Sequence, residues 1–213
     1  ICKALGGRPP NHYVYELFLD GEGRKISKSK GNGISIDEWL RYASSESLAY
    51  YMFLKPRTAK RLHWDVIPKA VDEYDQQLRA FDAQEQAKKL ENPVWHIHRG
   101  QPPASDLAVS FSMLLNLAAA AHTHDKAVLW GFIRKYAPEA SPETHPGLDA
   151  AAERAVRYVE DKVIPNRHYR APTDLERAAL EDLAARLRAW EGEADATALQ
   201  DLCYAVGKEH PFD

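Results

Sequence analysis

Apolar residues recur along this chain at helical spacing, and only its first stretch departs from that rule. Between Tyr13 and Leu19, aromatic and β-branched residues place Tyr13, Tyr15 and Leu17 on one face, which predicts a strand. Asp20-Gly21-Glu22-Gly23 predicts a turn after it. Ser35 and Glu38 then have the spacing of a capping box and open a helix through Trp39 and Leu40. A second helix start at Ser44 leads into the stripe Leu48, Tyr50, Tyr51 and Met52, which ends before Pro56. Ile67, Ala70, Val71, Tyr74, Leu78 and Phe81 follow at intervals of three, four and seven. That spacing predicts one long amphipathic helix from Pro68 to about Lys89, with the proline in its first turn. Three prolines between Glu91 and Pro103 interrupt the pattern and predict a connector.

Beyond Ser105 the apolar content rises. Leu107, Phe111, Leu114, Leu115 and Ala118 to Ala121 predict a helix buried on more than one side, and Val128, Phe132, Ile133 and Tyr136 the next. After a loop from Pro138 to Pro146, Leu148, Ala152, Ala155, Val156 and Val159 carry a helix to Pro165. Thr173 and Glu176 form a second capping box, ahead of a heptad-like repeat of Leu180, Leu183, Leu187 and Trp190. Leu199, Leu202, Cys203 and Val206 mark a last helix, with Gly207 placed to end it. About eight helices and at most a short piece of sheet make the expected fold mainly α.

Composition narrows the class. With 213 residues, 45% hydrophobic and 28% charged, the chain has the length and balance of a globular protein of one or two domains. Cys2 and Cys203 lie far apart and form no metal-type pair, as expected of a reduced, cytoplasmic protein. No run approaches the roughly 18 apolar residues of a membrane helix. His96 with His98, and His122 with His124, have no cysteine or carboxylate cluster beside them, so no metal site is expected. The net charge of −3 means that any nucleic-acid affinity must come from local basic patches. Lys55, Arg57, Lys60 and Arg61 form one such patch beside His63 and Trp64, and Arg167 and Arg170 flank His168 and Tyr169 in another. Contact with RNA phosphates suits the first patch, with a solvated connector as the plainer alternative; base stacking with phosphate contact suits the second, with a structural loop as the plainer alternative.

The densest chemistry lies in Lys25-Ile26-Ser27-Lys28-Ser29, followed at once by Lys30-Gly31-Asn32-Gly33. Lys25 and Lys28 supply mobile ammonium charges, and Ser27 and Ser29 supply hydroxyl donors. Gly31 and Gly33 allow a positive φ or a close backbone approach. Such a loop suits polyphosphate: in nucleotidyl transfer, charge moves onto the departing pyrophosphate, where preorganised cations favour the transition state. A solvated basic turn is the alternative for the five residues alone, and the order strand, turn, basic loop and capped helix argues against it.

This loop resembles the Lys-Met-Ser-Lys-Ser signature of class I aminoacyl-tRNA synthetases, with Ile26 in the methionine position. The run from Gly31 to Leu40, then Ser47 to Met52, Lys60-Arg61-Leu62 and Asp65 to Pro68, is similar to the class I, archaeal-type lysyl-tRNA synthetases. The similarity extends through Phe111 to Leu117 and Leu129 to Ile133. The resemblance implies ATP-dependent attachment of lysine to tRNA(Lys) through lysyl-adenylate, with Mg2+ accompanying ATP. Lys25 and Lys28 would be catalytic and, with Ser27 and Ser29, would hold the nucleotide. Residues 1–34 would end a Rossmann-type catalytic domain, 35–103 form a helical stem-contact region, and 104–213 form a helical, cage-type anticodon-binding region. Lys55, Arg57, Lys60, Arg61, Arg167 and Arg170 would contact tRNA. No His-Ile-Gly-His segment precedes Lys25, and His96-Ile97-His98-Arg99-Gly100 lies after the loop with its glycine misplaced. The expectation is therefore a carboxyl-side fragment, inactive by itself. A stand-alone helical RNA-binding module, or a glutamyl or arginyl enzyme of the same class, are the alternatives.

Overall fold

The computed structural model describes residues 2–12, 14–27, 29–121, 125–191 and 195–211. Tyr13, Lys28, His122 and His124 lie outside them. The described chain is mainly helical with a two-stranded sheet, and it divides into two compact units, residues 1–166 and 167–213. That division falls within the stretch read as one anticodon-binding region.

In the first unit, β1 (Phe18–Leu19) pairs in parallel with β2 (Lys60–Arg61), Phe18 opposite Lys60 and Leu19 opposite Arg61. The strand expected from Tyr13 is thus shorter than its sequence pattern. Val14, Tyr15 and Leu17 are exposed, and upstream of Phe18 the Glu16 N–H donates to Pro56 O at 2.9 Å outside the ladder. Between the strands lie α1 (Ile36–Tyr42) and α2 (Ser45–Phe53), both starting where expected. Ser35 Oγ accepts the Glu38 N–H at 3.2 Å and the Glu38 carboxylate accepts the Ser35 N–H at 2.8 Å, a complete capping box. Trp39, 1% exposed, donates from Nε1 to Ser47 Oγ at 3.2 Å and locks the two helices together.

After β2 comes α3 (Val66–Phe81), which stops eight residues short of the expected end at Lys89. Phe81 and Leu78 turn into a small apolar cluster with Val94, and Asn92 holds the turn. Its amide donates to Gln77 O at 3.2 Å and Gln84 Oε1 at 3.0 Å, and its Oδ1 accepts the Val94 N–H at 3.0 Å. Asn92 thereby ends α4 (Gln86–Glu91) and caps α5 (Pro93–Ile97), so the expected connector contains a short helix started by an Asn-Pro pair.

The main core is built by α6 (Phe111–Ala121), α7 (Lys126–Tyr136) and α8 (Pro146–Tyr158) packing on α1 and α3. Phe111, Leu114, Leu129, Ile133, Leu148, Ala152 and Ala155 are fully buried there, together with Ile67. The start of α6 is capped from another element: the Asp72 carboxylate of α3 accepts the N–H groups of Phe111 at 2.6 Å and Ser112 at 3.1 Å, and the Ser112 hydroxyl. An anionic group there satisfies orphan donors and complements the helix dipole. α8 continues into a π-helical turn (Val159–Val163) and a 3-10 turn (Ile164–Asn166). In that π turn, Asp161 accepts from Arg41 Nε and the Tyr42 hydroxyl, each at 2.9 Å, and Lys162 Nζ stands 3.3 Å from the Trp64 ring centroid. Burial, then the Asp161 hydrogen bond, pushes the Tyr42 phenol up to about 12.

The second unit is a helical hairpin of α9 (Asp174–Arg188) and α10 (Ala196–Glu209). The Thr173–Glu176 capping box is present as expected. Gly207 does not end α10, which runs on to Glu209. Its φ is outside the left-handed region that a glycine cap requires.

Replacing Asp72 with Ala is expected to destabilise the first unit by about 1 to 2 kcal/mol, the upper range for a lost N-cap, with Asp72→Asn losing less. Denaturant unfolding of the two variants checks this.

Candidate functional site

The basic loop grows out of a tight hairpin. Asp20 N–H donates to Arg24 O at 2.8 Å, Leu19 bridges to Lys25 in antiparallel sense, and Ile26 N–H donates to Phe18 O at 3.1 Å. Asp20, which the sequence marks only as a turn residue, is 5% exposed and organises this hairpin. Its Oδ1 accepts the N–H groups of Glu22 at 3.0 Å and Arg24 at 2.8 Å; its Oδ2 accepts Arg24 Nε at 2.9 Å and Asn32 Nδ2 at 2.8 Å. These donors, the Asn32 amide first, hold the Asp20 carboxyl well below the usual carboxylate range, and Asp20 in turn raises Arg24.

Within the loop, Lys25, Ser29 and Lys30 are exposed and Ser27 is half-buried. Ser27 and Ser29 place their hydroxyl oxygens 2.9 Å apart, and the N–H groups of Lys30 and Gly31 both donate to Ser27 O at 3.1 Å. Gly31 has φ +61°, a left-handed conformation that glycine adopts without strain. Gly33 serves close approach, to Ile26 of the same loop: a Cβ there would overlap Ile26 Cγ2. The apolar residue inside the signature is therefore the loop's foot, standing on Gly33.

The basic patch after α2 is less uniform than its sequence. Lys60 Nζ donates to Tyr51 O at 2.6 Å and Met52 O at 3.0 Å, and lies 5.4 Å from the Tyr51 ring centroid. It caps carbonyls of α2, and burial lowers its pKa. Lys55, at φ +46°, Arg57 and Arg61 remain exposed, and the parallel pairing sets Arg61 beside Leu19, next to the hairpin turn. Trp64 packs against Tyr42 edge-on at 5.6 Å and under Lys162, so it is a packing residue here.

In the second unit, Arg170 grips Glu176 with two nitrogens at 2.6 and 2.5 Å, and Arg167 Nη1 lies 3.5 Å from the Tyr169 hydroxyl. His96 bonds Leu90 O at 2.8 Å and stacks on Phe53, while His98 bonds the Tyr74 hydroxyl at 2.7 Å. No group of three His, Cys, Asp or Glu side chains suited to a metal occurs among the described residues. No described helix is long and apolar enough to cross a membrane.

Sequence reasoning named Lys25, Ser27 and Ser29, and the structure brings them onto one loop; Lys28 lies outside the described residues. It missed Asp20, Arg24 and Asn32, which hold that loop. Their spacing follows no helical or strand period, and only the position of an acid and an amide on either side of the lysines hints at them.

Residues 1–101 fit the family model described as tRNA synthetases class I (K). The chain is 62% identical to a lysine–tRNA ligase of Roseobacter denitrificans over 213 residues, which is 100% of this chain and 40% of that protein. It is 46% identical to a lysine–tRNA ligase of Rickettsia rickettsii (strain Sheila Smith) over 209 residues, 97% of this chain and 40% of the relative. A third, from Rickettsia africae, is 45% identical over 215 residues, 100% of this chain and 41% of the relative. The chain is thus homologous, from end to end, to a segment of the lysine–tRNA ligases, and spans about 40% of the length of these curated relatives. No solved structure matches it.

Gly33→Ala is expected to displace the stiff Ile26 side chain at a cost of about 1 to 3 kcal/mol to the loop's local stability, and Ile26→Ala in the same chain to restore most of it. Amide exchange at Ile26 in the single and double variants checks this.

Glu176 is held down at about 2 from an ordinary 4.5, by the Arg170 hydrogen bond first and the Thr173 N–H next, with burial opposing. A lowered folded value stabilises the charged form, so the contribution is complete above 4.5 and is lost as pH falls toward 2. The protection of the Asp174–Arg177 amides, taken relative to their intrinsic exchange at each pH, should therefore fall across that window, and Glu176→Gln should flatten the response.

Proposed function

We propose that this chain is the carboxyl-side part of a class I, archaeal-type lysyl-tRNA synthetase, working in the cytoplasm, and that its basic loop holds the triphosphate of ATP. In the first step a lysine carboxylate oxygen attacks the α-phosphorus, the bond to the β-phosphate bridging oxygen breaks, and pyrophosphate leaves. Negative charge gathers on that leaving group. Lys25 and Lys28 neutralise it, the Ser27 and Ser29 hydroxyls donate to its oxygens, and Lys30 supports it from the rim. Mg2+ bound with the nucleotide would supply further positive charge at the same phosphates, beside Lys25 and Lys28. In the second step a ribose hydroxyl of tRNA(Lys) attacks the lysyl carbonyl and AMP leaves. The observation that carries the reading is the loop itself: lysine and serine side chains are presented from a backbone fastened on both sides of Ser27.

Two features support a catalytic-domain remnant of Rossmann type in residues 1–34. The β1–β2 pair is parallel, and parallel strands are ordinarily covered on both faces by further structure. Val14, Tyr15 and Leu17 of this region are exposed, and Tyr15 and Phe18 line an apolar groove with Met52 and Phe53 of α2. Exposed apolar surface of this kind suits the packing of the remaining catalytic half, which would bring the lysine and adenosine pockets. The helices of 35–103 are assigned to the tRNA stem and those of 104–213 to the anticodon arm. Lys55, Arg57 and Arg61 are the phosphate contacts of the first, Lys60 serving them indirectly by fixing the end of α2. Arg167 and Arg170 are the candidates of the second, Arg170 after exchanging Glu176 for a phosphate.

In the full-length protein, Lys25→Ala and Lys28→Ala should each slow lysine-dependent ATP–pyrophosphate exchange by roughly two to three orders of magnitude, with lysine binding nearly unchanged. Unchanged exchange in both variants removes the reading. Exchange stimulated by glutamate or arginine in place of lysine reassigns the amino acid.

A further inference from the structure

We propose that Asn32 is a positioning residue for the phosphate loop, a role that rests on the ATP reading above. Its side chain joins three separate parts of the hairpin and loop. Oδ1 accepts the Ser27 N–H at 2.9 Å, and Nδ2 donates to Asp20 Oδ2 at 2.8 Å and to Lys25 O at 3.3 Å. This network fixes the amide's orientation: turned over, it would set two donors together at Ser27 and two acceptors together at Asp20.

The consequence falls on Ser27. Its N–H is held by Asn32 and its carbonyl by the N–H groups of Lys30 and Gly31, so the peptides on both sides are tied before any ligand arrives. The two bonds to Asp20 and Lys25 O anchor that tie to the hairpin. Asp20 is itself held by Arg24 and two backbone N–H groups. Lys25, Ser27 and Ser29 therefore leave a backbone of set shape, and their donors need little reorganisation when charge develops on phosphate. The chemistry also explains an amide at this position: an aspartate would face the Asp20 carboxylate and Lys25 O with no donor, and two carboxylates so placed resist joint ionisation. Asn32 touches no reacting atom in this account. It acts through Ser27 and Lys25.

The test uses Asn32→Ala and Asn32→Asp in the full-length protein, with Lys25→Ala as the reference. Amide exchange of Ser27 should quicken by about five- to tenfold in Asn32→Ala, the size of one lost hydrogen bond, while helices α6 to α8 keep their protection. The kcat of lysine-dependent pyrophosphate exchange should fall by about tenfold to a hundredfold with KM for lysine unchanged, and Asn32→Asp should fall further than Asn32→Ala. Unchanged exchange at Ser27 overturns the clamp whatever the loop binds. Quickened exchange at Ser27 with unchanged kcat overturns the positioning role. In that case a slow Lys25→Ala leaves the ATP reading standing, and an unaffected Lys25→Ala removes it as well.

Discussion

The burial of Trp39 is the constraint on which the candidate site depends. Seven residues, Ile36–Tyr42, separate an exposed polar loop from a packed helical core, and the indole is what fastens them to it. A large aromatic body and a satisfied indole N–H make this a strong anchor for so short a helix, which propensity alone would leave unformed. The capping box fixes the front of α1, and the contacts of Arg41 and Tyr42 with Asp161 fix its back. The loop thus enters α1 at a set point, and its geometry derives from helices more than a hundred residues away in sequence.

Local chemistry was legible where it is local. Both capping boxes, the start of α2, the Asp20 turn and the lysine-serine loop could be read because each is a short pattern with its own physical cause. The long helix expected from Pro68 to Lys89 failed for the opposite reason: Asp82 to Lys89 contain no glycine or proline to stop a helix, and only the fold of Asn92 against Gln77 and Gln84 says where it must break. The role of Asp72 at α6 was equally invisible, because a cap supplied from another helix leaves no mark beside the helix it caps. At the site the same divide holds. Side chains that would face a ligand were named, and those that hold the backbone were not, since Asp20 and Asn32 act across the hairpin and not along it.

Charge is distributed by task. A chain with net charge −3 spends several cations on its own architecture: Lys60 on the carbonyls of α2, Lys162 on the face of Trp64, Arg24 on Asp20. Lys25, Lys30, Lys55, Arg57 and Arg61 stay exposed on the loop and around β2. Counting lysines and arginines in a stretch therefore overstates what that stretch offers an anion, and the structure separates the two groups by what each nitrogen already touches.

The hairpin of α9 and α10 has a different consequence. Few of its side chains are fully buried, Ala179 and Val206 among them, while Leu175, Leu180, Leu187 and Tyr204 are exposed and the pairs of Arg170 with Glu176 and Arg186 with Asp182 and Glu209 lie at its surface. Such pairs are screened by added electrolyte, so ionic strength loosens this small unit at the same time as it weakens any grip on a polyanion. A titration with salt would then sum two processes, and for any bound polyanion its slope would overcount the ions displaced unless the order of the hairpin were followed alongside.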